Sequence, residues 1–140
     1  MIGLRSSVVS TLEVLMNAER SLMDPTEPYD FGEWGSCTCG HIYHGVTGTY
    51  GDIQAVVFGD AGGYNEVMVE VCELLGIESY KGMSNYPRAA AISNYTSNLG
   101  TKRTTRKHSL KVIREAISKI REMDQAVIVK TLDAHNYEAV

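Results

Sequence analysis

Residues 104–123 have the sequence TTRKHSLKVIREAISKIREM, with the periodicity of an amphipathic helix. The apolar residues are spaced so that a helix places them on one face, and they are Leu110, Ile113, Ile117 and Ile120. Thr104 or Thr105 can cap the first turn, and the helix is predicted to run to about Met123. The chain is therefore expected to be organised around a long helix in its C-terminal part.

Further segments upstream have helical spacing. Apolar residues recur through residues 3–23 at the intervals of an amphipathic helix, namely Leu4, Val8, Leu12, Leu15 and Met16. Residues 39–47 predict a short helix ended by glycines, and residues 64–76 predict a helix that stops at Gly76. Pro87 suits the first turn of another helix, which continues through Ile92.

Two apolar runs, residues 53–58 and 126–132, are too short for periodicity to separate a strand from a helix. We predict a mostly α fold, a small helical domain of four to five helices, in which these runs form at most one short strand pair. The alternative is a small α+β domain with the two runs at its centre. Residues 1–140 are expected to form a single domain, with residues 133–140 as a frayed tail.

Composition excludes several classes of protein. The chain has 140 residues, 44% of them hydrophobic and 21% charged, as expected for one globular domain. Its three cysteines are an odd number, so it is not a fully paired disulfide scaffold. No apolar run approaches the roughly 20 residues that span a bilayer, and residues 1–7 lack the apolar core of a secretory signal. We therefore expect no membrane association and a cytoplasmic location.

Charge is distributed unevenly along the chain. The net charge is -4, yet the segment Lys102–Arg121 has eight basic residues against one acid, or +7, which leaves -11 for the rest. Cations at the start of a helix oppose its dipole, and a bound anion would offset them. The pattern predicts an anion site formed by Arg103, Arg106, Lys107 and Lys111. The alternative is a solvated basic face that interacts with the acidic remainder of the protein.

Residues 37–44, CTCGHIYH, contain two cysteines and two histidines. Thiolate and imidazole are the preferred ligands of zinc, which makes Cys37, Cys39, His41 and His44 a candidate zinc site. The spacing is tight, so three of them with a water are another arrangement, as is a fourth ligand from elsewhere: Cys72, His108 or His135. The alternative is that the cysteines are small core residues and the histidines line a loop.

Several short motifs resemble a known family. They are Tyr29-Asp30-Phe31 with Trp34, Cys39-Gly40 followed by His44-Gly45, Cys72-Glu73-Leu74-Leu75-Gly76-Ile77, and Asn85-Tyr86-Pro87. In order and rough spacing, over about residues 10–121, they resemble uncharacterised small proteins of actinobacteria and their phages. Those proteins carry Phe-Asp-x-x-x-Trp, Cys-Gly-Thr-x-x-Cys and Leu-Leu-Gly-Leu.

In that resemblance Cys39 and His44 take the places of the two cysteines of the family, and a Cys-to-His exchange is compatible with metal ligation. The chain departs in having His41 for threonine, Tyr86 for tryptophan and an insertion around residues 49–62. The resemblance implies a largely helical fold and no particular activity.

Three functions follow as hypotheses. The first is a non-enzymatic binding or regulatory protein, related to phage or mobile elements, with a protein partner. Its Cys/His loop would be fixed by zinc, and the basic start of its last helix would bind an anionic partner. The second is a small zinc-dependent hydrolase, with Asp30 or Glu33 as general base. The third is a DNA-binding protein that uses the last helix.

Overall fold

The structure is a computed structural model. It describes the backbone of residues 6–78, 85–96 and 99–139, and the side chains of residues 11–78, 86–96 and 99–123. In these ranges the chain forms five α-helices and no strand: α1 (Ser6–Met23), α2 (Thr38–Thr47), α3 (Tyr64–Leu74), α4 (Asn85–Ser93) and α5 (Arg106–Ala139). The prediction of a mostly α fold with four to five helices is confirmed.

The core lies where α1 packs against α2 and α5, and it continues between α3 and α4. Each of these helices contributes fully buried apolar side chains, among them Leu15, Ile42, Val71, Ile92 and Ile113. The predicted apolar face of the last helix is buried at Ile113, Ile117 and Ile120, while Leu110 is half-buried. Burial of each such side chain contributes about 1.5–3 kcal/mol.

Glycines in α2 allow its close packing. A Cβ at Gly45 would lie 2.5 Å from the backbone oxygen of Val14, so only glycine lets α2 come this near to α1. On another side, a Cβ at Gly40 would lie 2.5 Å from the carbonyl carbon of Gly35, in the loop before the helix. The start of α2, which carries the Cys/His cluster, is therefore held tightly between α1 and the preceding loop.

The run 53–58 is helical, so the prediction that it forms one strand of a pair is wrong. Residues Gln54–Phe58 form a single π-helical turn. Just before it, a carboxylate oxygen of Asp52 accepts a hydrogen bond from the backbone N–H of Ala55 at 3.0 Å. Val56 and Val57 are both buried although they are adjacent. Neighbouring side chains in a strand would point to opposite faces, whereas the turn directs both towards the core.

Helix α5 begins with the cap that the sequence predicts. The Thr105 hydroxyl accepts a hydrogen bond from the backbone N–H of His108 at 3.1 Å, which satisfies a donor of the first turn. The backbone of residues 126–132 belongs to this helix, so the second half of the predicted strand pair is also wrong. The helix continues to Ala139 and includes most of the segment predicted to fray; fraying itself stays a prediction.

No helix in the described parts of the chain combines the length and the apolar character needed to cross a bilayer.

Candidate functional site

The two cysteines of the cluster lie together against α4. Cys37 is the N-cap of α2, with an extended backbone, and Cys39 lies in the first turn. The Ser93 hydroxyl of α4 is 3.2 Å from Cys39 Sγ and 3.9 Å from Cys37 Sγ. Cys39 Sγ also lies 3.3 Å from the backbone oxygen of Ala89. Both thiols are free and buried, and the hydroxyl of Ser93 contacts both sulfurs.

His41 points away from the thiols, towards the end of α1. Its Nε2 donates a hydrogen bond to the backbone oxygen of Pro28 at 2.8 Å, because a carbonyl only accepts. Its Nδ1 lies 2.7 Å from the Ser21 hydroxyl, which donates to it when the ring is neutral. Burial, the largest cause, lowers the pKa of His41 to about 4. Both ring nitrogens are thus used within the protein, and no lone pair is free for a metal.

His44 lies on the same side of α2 as His41. Its ring stacks on Tyr50, with centroids 4.2 Å apart and an angle of 15° between the planes, and the edge of the His41 ring contacts the same tyrosine. The Tyr50 hydroxyl donates to Glu27 Oε2 at 2.9 Å. His44 also lines an open cleft of about 520 Å³ between the C-terminal ends of α1 and α2. The two imidazoles therefore belong to the α1 side of α2.

Helix geometry explains why the four side chains separate. Because an α-helix turns by about 100° per residue, side chains two positions apart point to nearly opposite sides. Since α2 begins at Thr38, Cys39 and His41 are both helical and obey this relation. The expectation that Cys37, Cys39, His41 and His44 converge is thus corrected by the geometry, which forms a thiol pair and an imidazole pair on opposite sides.

The candidate ligands Cys72 and His108 lie in other helices, and the side chain of His135 falls outside the described ones. Cys72 is buried in α3, and His108 Nδ1 in α5 is 3.5 Å from the Thr101 hydroxyl. Asp30 and Glu33, the candidate general bases, are exposed. Among side chains 11–78, 86–96 and 99–123, no three His, Cys, Asp or Glu residues are grouped as metal ligands. Zinc binding stays a prediction, without geometric support from these residues.

The thiol pair is electrostatically asymmetric. The neighbouring Cys39 thiol is the largest cause that lowers the pKa of Cys37 below its ordinary value, and its effect outweighs that of burial. The backbone N–H groups of Gly40 and Cys39, at the start of α2, and the hydroxyl of Ser93 act in the same direction. Burial raises the pKa of Cys39 well above its ordinary value. Cys37 is therefore the sulfur that carries a negative charge first.

Cys37 lines a pocket between α4 and the loop before α2. The pocket has a volume of about 210 Å³. Its aromatic lining consists of Phe31, Trp34 and Tyr86, and its polar lining includes Ser93 and Asn94. The rings of Trp34 and Tyr86 meet edge to face with centroids 5.8 Å apart, and Tyr86 is half exposed. Small ligand pockets in proteins combine aromatic walls with a few polar groups in this way.

The four predicted anion-binding residues have separate roles. Arg106 donates through Nη1 to the backbone oxygens of Leu22 and Asp24, at 3.2 and 3.0 Å, and through Nη2 to that of Glu27 at 2.6 Å. Lys111 Nζ donates to the backbone oxygen of Leu99 at 2.7 Å. Backbone carbonyls thus already accept hydrogen bonds from both cations, and an anion site that includes Arg106 and Lys111 stays a prediction.

Arg103, three residues before α5, and Lys107, in its first turn, remain exposed. Arg103 Nη1 lies 3.4 Å from Asn94 Oδ1, and that amide lines the pocket beside α4. A positive charge therefore lies at the edge of the aromatic pocket. Sequence reasoning missed Ser93 and Asn94, since a polar pair at the end of an alanine-rich helix has no distinctive pattern. The position of Ser93, four residues after Ala89, was an available signal, because it continues the buried face of α4.

Comparison with protein-family models, with curated proteins and with solved structures gives no match for the chain. The resemblance to the actinobacterial and phage family therefore stays a prediction.

Proposed function

We propose that the protein is a non-enzymatic binding protein that contacts an acidic protein partner. The contact surface consists of the pocket beside α4 and the exposed cations at the start of α5, and we call it the α4–α5 face. The observation that carries this proposal is the contact of Arg103 with Asn94, which brings a guanidinium to the edge of an aromatic pocket. A cytoplasmic location and a phage or mobile-element origin remain parts of the proposal that rest on the sequence.

The pocket and the charge select different parts of a partner. A volume of about 210 Å³ accommodates one apolar or aromatic side chain, and the rings of Trp34 and Tyr86 offer edges and faces for it to pack against. Arg103 and its exposed neighbours Lys102 and Lys107 attract carboxylates that flank such an anchor. Because a buried anchor supplies affinity and the charges supply selectivity, an aromatic residue between acidic residues fits this face.

Trp34 provides a direct assay, because it is the only tryptophan of the chain and it lines the pocket. Synthetic peptides with one aromatic residue flanked by Asp and Glu are titrated against the protein, and Trp34 fluorescence is recorded. Binding is expected to change the emission and to weaken at higher salt, since the charges are exposed. The matched control peptide has lysines in place of the acidic residues and is expected not to bind.

Two charge reversals on the protein make the test specific. Arg103→Glu places a negative charge at the pocket edge and is expected to weaken acidic-peptide binding at least about tenfold, as like charges are costly at an interface. Lys119→Glu makes the same change in charge on an exposed part of α5 and is expected to have a much smaller effect. Equal effects of both variants, or equal binding of the lysine peptide, would reject the proposal.

Duplex DNA is titrated in the same assay. Tight, steeply salt-dependent binding of DNA with no binding of acidic peptides would favour the DNA-binding hypothesis instead.

A further inference from the structure

We propose that the cleft between the C-terminal ends of α1 and α2 binds a free basic amino acid, with Arg20 as the contact for its carboxylate and Asp24 and Glu27 as the contacts for its two positive groups. All three charged side chains line the cleft. The cleft has no lining residue in common with the pocket beside α4, so the site is separate from the proposed partner surface. Failure of either proposal leaves the other intact.

The cleft is large enough for such a ligand. Its volume is about 520 Å³, within the range of about 300–1,000 Å³ that small-molecule sites have. A single inorganic ion would leave most of this space unfilled. Gly45 and Val46 of α2 contribute lining without charge, against which the aliphatic part of an amino-acid side chain can pack.

Arg20 is held at the cleft by Asn17. Its Nη2 donates a hydrogen bond to Asn17 Oδ1, and Asn17 Nδ2 donates one to the backbone oxygen of Gly45 at 3.3 Å, so the amide links the guanidinium to α2. A guanidinium has several N–H donors in a planar fork, and this is the only hydrogen bond that it forms with the described residues. The remaining donors suit a carboxylate, which arginine binds through two parallel hydrogen bonds.

The two carboxylates of the cleft are also held by neutral groups. Asp24 Oδ1 accepts hydrogen bonds from the backbone N–H and the hydroxyl of Thr26, at 2.9 and 2.7 Å. Glu27 Oε2 accepts one from the Tyr50 hydroxyl at 2.9 Å. The second oxygen of each carboxylate has no hydrogen bond with the described residues, so each can accept one from a positive group of a ligand.

The charges of the cleft do not pair with one another. Arg20 and Asp24 are four positions apart, a spacing at which opposite charges on a helix can pair, yet neither forms an ion pair with a described side chain. With histidine counted as neutral, one cation and two carboxylates give the lining a net charge of -1. A basic amino acid has one carboxylate and two positive groups, so it complements this lining in both number and sign.

A buried nitrogen of the lining also indicates a ligand. His44 lines the cleft, and its Nδ1 is shielded from solvent and has no hydrogen-bond partner among the described residues. Buried polar atoms in native proteins almost always have a partner, so this nitrogen indicates a bonding group that the described part of the chain does not supply. The ring is held in place by its stacking on Tyr50. An amino acid in the cleft is in position to supply that group.

The first test compares L-lysine with analogues that each lack one charge, by isothermal titration calorimetry. Cadaverine is lysine without its carboxylate, and 6-aminohexanoate is lysine without its α-ammonium group. Each is expected to bind at least about tenfold more weakly than lysine, because it loses one charged hydrogen-bonded contact. L-Glutamate, with a negative side chain, is expected not to bind. Cadaverine binding as tight as that of lysine, or no lysine binding at millimolar concentration, would overturn the proposal.

Variants of the protein assign the contacts. Arg20→Gln is expected to weaken lysine binding at least about tenfold and not to weaken cadaverine binding, since cadaverine has no carboxylate for Arg20 to hold. Asp24→Asn is expected to weaken the binding of both ligands. The matched control is Glu13→Gln, which makes the same carboxylate-to-amide change at an exposed position of α1 outside the cleft. Equal effects of Asp24→Asn and Glu13→Gln would mean that only the overall charge matters, and would overturn the site.

A measurement on the wild type remains decisive if a variant fails to fold. Histidine ring resonances are recorded by NMR while L-lysine is added at constant pH and ionic strength. The signals of His44, which lines the cleft, are expected to shift, and those of His108, buried in α5, are expected to stay in place. Unchanged His44 signals, or equal shifts of both residues, would contradict binding in the cleft.

Discussion

Arg106, the first residue of α5, donates a hydrogen bond to the backbone oxygen of Leu22, the penultimate residue of α1, at 3.2 Å. The same guanidinium bonds the carbonyls of Asp24 and Glu27 and lies 5.6 Å from the centre of the Tyr29 ring. It satisfies acceptors at the C-terminal end of one long helix from the N-terminal end of another. Arg106 is therefore a structural residue that joins the two ends of the bundle.

Replacement of Arg106 is expected to destabilise the protein. Arg106→Ala leaves three carbonyls without this donor and is predicted to lower the free energy of unfolding by about 2–4 kcal/mol. The measurement is urea denaturation followed by circular dichroism. The matched control is Lys107→Ala, which removes an exposed cation from the next position and is expected to change stability by less than about 0.5 kcal/mol. A similar loss in both variants would show that the carbonyl contacts do not matter.

Stability is expected to fall in acid because of His41. Burial lowers its pKa to about 4, with smaller effects of Arg106 and His44 in the same direction and of Pro28 and Glu27 against it. The unfolded chain therefore binds a proton at higher pH than the folded chain does, and stability rises with pH. The contribution of His41 is complete above about pH 6.5 and is lost towards pH 4, by at most about 1.4 kcal/mol per pH unit.

The pH prediction is checked by urea denaturation across this range for the wild type and for His41→Gln, whose slope is expected to be shallower. Some slope remains, since burial also lowers the pKa of His108. Titration of the His41 ring by NMR provides a measurement that needs no variant. A midpoint near the value of a free histidine would contradict the prediction.

The cap of α5 has a measurable contribution. Thr105→Ala removes the side-chain acceptor for the backbone N–H of His108 and is predicted to destabilise the protein by about 1 kcal/mol. Thr104→Ala is the matched control, because Thr104 is the exposed preceding residue and is not the capping residue. Thermal unfolding of the two variants compares them directly. If both lose the same stability, the cap is not the cause.

Gly45 is expected to be essential for the approach of α2 to α1. In an open helix, Gly→Ala is stabilising by about 0.5–1 kcal/mol, because glycine loses more backbone freedom on folding. Here the new Cβ would lie 2.5 Å from the Val14 oxygen, so Gly45→Ala is predicted to destabilise by about 1–3 kcal/mol. Denaturation of this variant is compared with that of Ser118→Ala on the exposed side of α5, which is expected to gain a few tenths of a kcal/mol. A gain for Gly45→Ala would contradict the close contact.

The sequence predicted the features that depend on local pattern. The buried face at Ile113, Ile117 and Ile120 follows from spacing alone, and the cap at Thr105 follows from residue type and position. The sequence of the run 53–58 did not show whether it is a strand or a helix, because so short an apolar run has the same pattern in both. Whether it is helical depends on the capping carboxylate of Asp52 and on the surrounding core.

The candidate site was less predictable, because it depends on the directions in which side chains point and on contacts between residues that are far apart in the sequence. Cys39 and His41 are only two positions apart in the sequence, yet both are helical in α2, so their side chains point to nearly opposite sides of it. The acceptors of Arg106 are backbone carbonyls, which every residue has, so no sequence pattern shows that this cation is already bound. The thiol pair likewise depends on Ser93, which lies more than 50 positions away from Cys39 in the chain.

The contact of Arg106 with α1 also affects the order of folding during synthesis. Arg106 follows Asp24 by 82 positions, so a nascent chain emerging from the ribosome carries the open carbonyls at the end of α1 long before their donor exists. Closing so large a loop is entropically costly and slow compared with pairing neighbouring helices. The N-terminal half therefore completes its native packing only after the start of α5 has been translated.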